Sequence, residues 1–421
     1  MCTVLLQTGS SSTCRVTEKG KSMGKAKKYV ALIAVLVVLA MTVTACGGST
    51  ASTTTGASKS ATVKIAIGAP LTAGAVALGK GMERGAKLAI QDMNASDAAK
   101  KAGITFESFS GDDQGDPKTG VNVANQFASD PKVVGVMGHL NSGVSIPSSK
   151  VYNQANLVMI SPASTNPALT QQGLKNVFRV CTIDSVQGPS AADSAFKDLG
   201  KKAAFVVDDS TPYGVGLADE FAKQFAKDGG KVAGREKTGD KDTDFKALVT
   251  KIASAKVDIV YYGGIYNSGA LLSKQCKEGG ASVPLMGGDG LYDGEYIKLG
   301  GTASEGDYAT SVGLPLDLLP KGQGFKTSFQ KAFPGEEIAA YDAYSYDAAT
   351  VIMNAAVEVA GKLGADKVAT TEGKKALIAA VAKTDFEGVT GKVSFDSKGD
   401  TTNKAITLYV VKGGKWGPFK K

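Results

Sequence analysis

From residue 62 onwards, short apolar runs of strand length alternate with longer segments in which apolar residues recur at helical spacing. The alternation runs through about 183 and starts again at 184, continuing to about 312. Strands separated by helices of about ten to fifteen residues form right-handed βαβ units and therefore parallel sheets. The sequence thus predicts an α/β protein with two doubly wound lobes, followed by a tail of long helices and further strands.

The predicted strands and helices can be given by number. Strands are expected in the first run at 62–67, 104–109, 132–137 and 157–160, and in the second at 203–207, 231–235, 258–262 and 283–286. Helices are expected at 82–93, 121–127, 216–227, 245–254 and 270–277. The tail is expected to hold helices at 341–360 and 374–383 and strands at 389–395 and 405–411.

The N-terminal segment has the parts of an export signal. Three lysines at 25, 27 and 28 precede residues 29–45, which carry no charge and end in small residues before Cys46. We expect 1–45 to be a signal segment, with 1–22 upstream of the true start at Met23, and Cys46 to be lipidated because its setting resembles a bacterial lipobox. The alternative is an uncleaved membrane anchor. Residues 46–61 then form the lipidated cysteine and a flexible Gly/Ser/Thr tether.

Charge and cysteine content narrow the classes of function. The formal charge of +8 comes largely from the signal segment, and the near-balance of the remainder gives no electrostatic footprint for nucleic acid. One histidine, with no CxxC or HExxH spacing, excludes most zinc enzymes. Removing the signal and Cys46 leaves Cys181 and Cys276, which either form a disulfide or are buried separately.

Ligands of open parallel sheets bind beyond the carboxyl ends of the strands. The loops at those ends are rich in hydroxyls, glycines and a few acids, and they contain no nucleophile beside a base. This composition indicates a site that binds a small polar molecule without reacting with it, with no cofactor and no metal. The loops lie at 138–143, 161–165, 208–214, 261–264 and 287–290.

Three sequence features resemble the motifs or residues of other functional classes. Residues 74–81 match a phosphate-binding loop except that Gly81 replaces the hydroxyl residue that holds Mg²⁺. Residues 240–251 begin like a calcium loop, but Phe245 and Lys251 occupy its glycine and glutamate positions. We interpret these as a glycine-rich turn into a helix and a polar helix start. His139, the only histidine, is either a structural residue, which we favour, or a functional one.

Eight motifs in order carry a resemblance that covers nearly the whole chain after residue 62. They are GHLNS at 138–142, ISPAST at 160–165, DSVQGP at 184–189, PYGVGLA at 212–218, DFKALVTKI at 244–252, VYYGG at 260–264, MGGDG at 286–290 and FDSKGD at 395–400. With these motifs the chain resembles the branched-chain amino-acid-binding proteins of bacterial ABC importers, of the leucine/isoleucine/valine type.

The resemblance implies a type I periplasmic-binding-protein fold. That fold has two Rossmann-like lobes joined by three hinge crossings, which would fall near 180–190, 308–315 and 385–395. The first lobe would comprise 62–183 plus 313–390, and the second 184–312 plus 391–421.

The resemblance also implies a ligand site. Ser142, Thr165 and the main chain of Ala163 would hold a ligand carboxylate, and Tyr213 and Asp289 would face its ammonium group. Hydroxyls and loop amides suit a carboxylate. The alternative is that Ser142 and Thr165 only cap helices and that Asp289 makes a turn.

The side-chain pocket departs from the family pattern. Leu78 and Ile265 stand where the pattern has tyrosines, and Asn141 stands where it has a cysteine. These three residues are still expected to line the pocket. Recognition of an amino acid is therefore better supported than the identity of its side chain.

Together these patterns predict an exported, monomeric solute-binding lipoprotein, held by its N-terminal lipid on the outer or periplasmic face of the cell membrane. It would capture an α-amino acid, branched-chain by resemblance, and deliver it to the permease subunits of an ABC importer. Alternative ligands are amides, urea-like solutes and aromatic acids, and an alternative role is a ligand sensor for a signalling receptor.

Overall fold

The computed structural model describes residues 60–420. The predicted signal segment, Cys46 and most of the predicted tether therefore lie outside the described residues. Between residues 60 and 420, no helix combines the length and the apolar character that crossing a membrane requires.

The first run of the chain forms one parallel sheet with helices between its strands. Its strands are β1 (Ala61–Ala69), β2 (Ile104–Asp112), β3 (Val133–Gly138), β4 (Val158–Ser161) and β5 (Val177–Arg179). Its helices are α1 (Val76–Ala95), α2 (Asp97–Ala102), α3 (Pro117–Ser129) and α4 (Ser142–Gln154). The strand order is β2-β1-β3-β4-β5, and every neighbouring pair is parallel. This is the doubly wound arrangement that the alternation predicts.

The second run repeats this plan. Its strands are β6 (Ala203–Asp208), β7 (Lys231–Lys237), β8 (Ile259–Gly263), β9 (Leu285–Gly287) and β10 (Tyr308–Val312). Its helices are α5 (Asp184–Asp193), α6 (Pro212–Lys227), α7 (Lys246–Ala255), α8 (Tyr266–Glu278) and α9 (Gly294–Gly300). The tail holds α10 (Gly322–Ala332), α11 (Asp342–Leu363), α12 (Thr371–Val381), β11 (Asp385–Gly388), β12 (Gly391–Ser394), β13 (Ile406–Lys412) and β14 (Lys415–Pro418).

The tail is shared between the two sheets. Strands β13 and β14 join the second sheet in antiparallel fashion, which gives the order β14-β13-β10-β9-β8-β6-β7. Helices α10 and α11 pack on α1, α11 also packs on β3 and β4, and α12 packs on α11. We call the first sheet with α1–α4 and α10–α12 the first lobe, and the second sheet with α5–α9 the second lobe.

The chain passes between the lobes three times: between β5 and α5, between β10 and α10, and between β12 and β13. The predicted class, α/β with two doubly wound lobes and three crossings, is confirmed. The predicted boundary numbers, 62–183 plus 313–390 and 184–312 plus 391–421, stay predictions.

Glycines in α1 explain the segment that imitates a phosphate-binding loop. A Cβ on Gly79 would lie 2.0 Å from the carbonyl oxygen of Pro70, and a Cβ on Gly85 would lie 2.0 Å from that of Asp342. Helix α1 can therefore approach the end of β1 and the start of α11 only with glycine at these positions. The glycine pattern reflects close backbone packing.

Most predicted elements differ from the structure by a few residues at their ends, and two of them show the physical reason. Helix α6 begins at Pro212 and not at 216, because proline suits the first helical position and the Thr211 hydroxyl accepts a hydrogen bond from the Gly214 N–H at 3.1 Å. The strand predicted at 389–395 is the second half of a hairpin, β11–β12, whose turn leads to Gly391 with a φ of +91°. The left-handed backbone there favours glycine.

Strand order determines where loops gather. In each lobe the first strand lies between the second and the third, since β1 is flanked by β2 and β3, and β6 by β7 and β8. At such a switch point the loops after the two central strands diverge and leave a crevice. The loops after β1, β3, β6 and β8 are therefore the places for a ligand.

Candidate functional site

One cavity between the lobes is lined by loops from both switch points. It is narrow and partly open, with about 280 Å³ of space when the open solvent within it is counted. Its lining residues are Leu78, Leu140, Asn141, Ala163, Tyr213, Ile265, Gly290 and Tyr341. Five of these, namely Leu78, Asn141, Ala163, Tyr213 and Ile265, are residues that the sequence analysis singled out.

The first-lobe wall is formed where β3 leads into α4. Ser142 is the first residue of α4 and is buried, and its Oγ accepts a hydrogen bond from the Asn166 N–H at 3.2 Å. The first N–H groups of a helix have no partner within the helix and carry partial positive charge. Ser142 does not itself line the cavity, but this helix start lies next to Asn141, which does, and it could accept an anionic group.

Thr165 lies beside this corner, in the loop after β4. Its side chain is fully buried, and Oγ1 has no partner with strict hydrogen-bond geometry among residues 60–420, although it lies close enough to the Asp184 carboxyl to oppose the rise in the pKa of that group. A buried hydroxyl without a partner costs free energy, and a ligand oxygen would remove that cost. Thr165 therefore lies behind the cavity lining, next to the Asp184 carboxyl, and does not itself line the cavity.

Arg179 holds the loop that carries Thr165. One guanidinium nitrogen, Nη1, donates to the carbonyl oxygens of Ser164 at 2.7 Å and Asn166 at 2.9 Å, on either side of Thr165. Nε donates to Asp400 Oδ1 at 2.6 Å, and the Arg179 side chain is fully buried. The buried ion pair of Arg179 with Asp400 therefore holds the loop that carries Thr165 in place.

His139 supports the same wall. Its Nδ1 lies 2.6 Å from Asp113 Oδ2, and its Nε2 lies 2.7 Å from the Tyr152 hydroxyl, with all three residues buried. Its carbonyl oxygen accepts hydrogen bonds from the hydroxyls of Ser161 at 2.9 Å and Ser164 at 3.1 Å. Both ring nitrogens of His139 therefore have hydrogen-bond partners within the protein, which agrees with the prediction that His139 is a structural residue.

The second-lobe wall centres on Asp289, which follows β9 and is fully buried. The Tyr213 hydroxyl donates to Oδ1 at 2.9 Å, and the Tyr341 hydroxyl donates to Oδ2 at 2.5 Å. Burial raises the pKa of Asp289, while the two tyrosine hydrogen bonds act to lower it. Asp289 does not line the cavity directly, but it bonds to two tyrosines that do.

The sequence analysis missed four residues near the cavity. Leu140 and Gly290 belong to strand-end loops that the sequence analysis predicts as ligand loops, so their position after a strand could have identified them. Tyr341 comes from the residue just before α11, where no strand end marks a site. Asp184 was noted only as part of a family motif, and its backbone N–H donates to the Thr165 carbonyl at 3.0 Å.

Asp184 is an unusual carboxyl. It is fully buried, and neither carboxyl oxygen has a partner with hydrogen-bond geometry among the described residues. Burial raises its pKa to about 8, and the nearby Asp289 carboxylate adds to the rise. A Cβ added to Gly216 would lie 2.9 Å from Oδ2 of Asp184. The Asp184 carboxyl therefore packs directly against α6 of the second lobe.

The lobes also touch each other at both rims of the cavity. On one rim the Ala77 N–H donates to the Tyr266 hydroxyl at 3.2 Å, and the Asn267 side chain donates to the Gly74 carbonyl at 3.1 Å. On the other rim Asn166 Nδ2 donates to the Pro212 carbonyl at 2.6 Å. The cavity is therefore covered on two sides.

The two cysteines of the described chain do not pair. Cys181 and Cys276 are both buried and free, so the disulfide alternative is wrong and two separate thiols are present. Burial raises the pKa of Cys276 to about 12. Among residues 60–420, no group of three or more His, Cys, Asp or Glu side chains could hold a metal ion.

Comparison with known proteins gives a consistent result. The family model described as periplasmic binding protein matches residues 62–415. The chain is 36% identical over 364 residues to Leu/Ile/Val-binding protein homolog 1 of Brucella abortus, covering 86% of this chain and 94% of that protein. Its structure is similar to that of the leucine-binding protein LivK of Thermotoga maritima, with a TM-score of 0.76, 30% identity and coverage of 85% of this chain and 97% of that chain.

A second solved structure resembles this chain with a similar TM-score. The branched-chain amino acid transporter substrate-binding protein LivJ of Streptococcus pneumoniae, in complex with isoleucine, has a TM-score of 0.75 and 25% identity, with coverage of 85% of this chain and 98% of that chain.

Proposed function

The chain belongs to the periplasmic binding protein family, and from that premise we propose that it captures a branched-chain α-amino acid between its lobes and delivers it to the permease of an ABC importer. The observation that carries the proposal is the cavity lined by the switch-point loops of both lobes. The names of the relatives, which are Leu/Ile/Val-binding proteins, support the same ligand class.

The first lobe would hold the ligand carboxylate. The hydroxyls of Ser142 and Thr165 and the main chain around Ala163 are the candidate partners, and the N-terminus of α4 supplies favourable partial charge. Oγ1 of Thr165 supports this assignment, since it is buried and makes no bond of strict hydrogen-bond geometry in the described structure. Arg179 would act as a positioning residue through the carbonyls on either side of Thr165.

The second lobe would hold the ligand ammonium. Asp289 supplies the negative charge, and Tyr213 presents a hydroxyl that also lines the cavity. Asp184 is a second buried carboxyl near both Thr165 and α6, and it lacks a partner among the described residues. A cation between these carboxyls would offset the desolvation that raises their pKa values.

The side-chain end of the cavity is aliphatic. Leu78, Leu140 and Ile265 contribute apolar surface, and Asn141 adds one polar edge. Burying an aliphatic side chain here is worth about 25 cal/mol per Å² of apolar surface removed from water. This lining supports leucine, isoleucine or valine over a charged amino acid.

Ligand binding and closure of the two lobes would be thermodynamically linked. A molecule with its charges at one end and an apolar group at the other touches both walls only when the lobes meet, so it favours the closed arrangement. The family is periplasmic by description, and the chain accordingly acts outside the cytoplasm. We further propose that it is a monomer anchored through a lipid on Cys46, which processing of the signal before Cys46 would expose.

Isothermal titration calorimetry with a ligand panel tests the proposal. The panel is L-leucine, L-isoleucine, L-valine, 4-methylpentanoate, which is leucine without its amine, and L-leucinamide, which lacks the carboxylate. The three amino acids are expected to bind, and each analogue is expected to bind at least ten-fold more weakly. Equal or tighter binding of either analogue would show that the α-amino-acid assignment is wrong.

A further inference from the structure

A second and larger cavity lies between the lobes, on the hinge side of the first. It is partly open, with about 960 Å³ of space when the open solvent within it is counted, and it shares no lining residue with the amino-acid cavity. Tyr341 lines the amino-acid cavity, while its neighbours Ala340 and Ala343 line the second one. The two cavities are thus adjacent but separately built.

The second-lobe wall of this cavity is aromatic. The rings of Tyr292 and Tyr409 lie 4.1 Å apart between centroids, and the ring of Trp416 meets Tyr292 edge-on at 5.8 Å. The indole N–H of Trp416 donates to the Asp293 carbonyl at 2.9 Å, which fixes the ring in place. Aromatic faces held in this way bind planar apolar groups well.

The opposite walls belong to the hinge and the first lobe, and they contain both apolar and polar side chains. The crossing after β10 contributes Leu314 and Leu316, and the first lobe contributes Ala343 and Tyr344. Tyr344 donates to the Val312 carbonyl at 2.9 Å, so this wall includes a contact of the hinge itself. A molecule in the cavity would touch both lobes and one crossing at once.

Polar and apolar groups contribute about equally to the exposed lining of the cavity, and the lining carries no unpaired charged side chain. Leu314 lines the cavity and is 45% exposed, one of four large apolar side chains that are exposed between residues 60 and 420. The charged side chains in the lining, Asp317 and Lys326, form an ion pair with each other. The lining therefore suits an uncharged ligand.

From this geometry we propose that the hinge-side cavity is a second binding site, for a small uncharged aromatic molecule. Its walls come from both lobes, so occupancy favours the lobe arrangement of this structure, in which the amino-acid cavity is also formed. Two ligands that favour one arrangement strengthen each other's binding by the same factor.

Trp416 makes the site directly observable, because it is the only tryptophan in the chain and it lines the cavity. Benzyl alcohol is the probe, and the emission wavelength of Trp416 is the readout, with excitation beyond the absorption of the probe. We expect a saturable blue shift as the probe displaces water from the indole, with a dissociation constant of about 1 mM. A non-saturable response would overturn the proposal.

Two leucines provide a matched pair of variants. Leu314 lines the cavity and Leu318 does not, yet both are exposed on the same segment, so neither substitution should prevent folding. Leu314→Asp places a charge on the apolar wall and should weaken probe binding about ten-fold, while Leu318→Asp should leave it unchanged. Equal effects of the two variants would contradict the proposal.

Adding saturating L-leucine shows which of the two cavities the probe occupies. If the probe occupies the hinge-side cavity, leucine should strengthen its binding. If leucine displaces the probe, the probe sits in the amino-acid cavity and the proposal is wrong. The titration without leucine does not depend on which ligand the amino-acid cavity takes, so its result stands apart from the proposed function.

Discussion

The hydroxyl of Tyr341 donates a 2.5 Å hydrogen bond to Oδ2 of Asp289. Tyr341 precedes α11, which packs on the first lobe, whereas Asp289 follows β9 in the second lobe. This contact therefore joins the two lobes beside the candidate ligand cavity, which Tyr341 lines.

The first prediction follows from that contact. Tyr341→Phe removes the hydroxyl and should weaken L-leucine binding about 10- to 100-fold, because a hydrogen bond to a charged group contributes about 1.5–3 kcal/mol. Small-angle scattering of the ligand-free protein should show a larger radius of gyration than wild type. Unchanged affinity together with an unchanged radius would mean that the bond does not contribute to closure.

The second prediction concerns Thr165. Thr165→Val keeps the shape and removes a hydroxyl that makes no bond of strict hydrogen-bond geometry in the described structure, so the melting temperature should fall little. Binding of L-leucine should weaken about 10- to 100-fold by calorimetry, since the lost bond is to a carboxylate. Thr250→Val, on the exposed face of α7, is the control and should bind as wild type does. Wild-type affinity in Thr165→Val would place the carboxylate elsewhere.

The third prediction concerns pH. Burial raises the pKa of Asp184 from an ordinary 3.8 to about 8 in the folded protein. The folded state then binds more protons than the unfolded state between these values, so the contribution of Asp184 to stability is full below about pH 4 and is lost as pH rises towards 8. Asp289 and Glu220 strengthen the rise, while the nearby Thr165 side chain and Arg179 oppose it.

Asp184→Asn should remove this pH dependence. The free energy of unfolding, measured with urea at pH 5, 6, 7 and 8 without ligand, should fall less steeply with pH in the variant than in wild type. Parallel profiles would show that Asp184 is ionised or solvated in the folded protein.

The fourth prediction compares a buried ion pair with an exposed one. Arg179 is fully buried and paired with Asp400, so Arg179→Met leaves a buried carboxylate unpaired and should cost about 3–5 kcal/mol in urea unfolding. Lys251, which is 58% exposed and pairs with the partly exposed Glu236, is the control. Lys251→Met should cost about 1 kcal/mol or less. A similar cost for both variants would contradict the assignment of Arg179 as the support of the Thr165 loop.

Local patterns were enough to predict much of this molecule. The alternation of strands and helices determines two parallel sheets, and parallel sheets place their ligand loops at strand ends. Asn141, Ala163 and Tyr213 belong to such loops, and within the loops it was the family resemblance that singled these residues out. All three line the cavity.

Contacts between distant segments could not be predicted in this way. The ion pair of Arg179 with Asp400 spans 221 residues, and Tyr341 reaches the site from a helix start that no strand-end rule marks. Whether Cys181 and Cys276 meet depends on three-dimensional distance, on which the sequence carries no local signal. The burial of Asp184 is likewise a property of how the lobes pack, and only the structure reveals its unpaired oxygens.

The central claim is that Asp289 carries the negative charge for a ligand ammonium. Asp289→Asn preserves shape and removes that charge. Removing one partner of a buried charge pair costs about 2–5 kcal/mol, which is about 30- to 5000-fold in affinity. 4-Methylpentanoate, which has no amine, should lose little or nothing, so the two ligands and two proteins form a thermodynamic cycle.

Calorimetric affinities of wild type and Asp289→Asn for L-leucine and 4-methylpentanoate are the most direct test. The account predicts that the variant loses at least about 30-fold in affinity for leucine and that this loss is absent for the deaminated acid. Leucine binding as tight in Asp289→Asn as in wild type, or an equal loss for both ligands, would contradict the assignment of Asp289 and with it the proposed recognition of an α-amino acid.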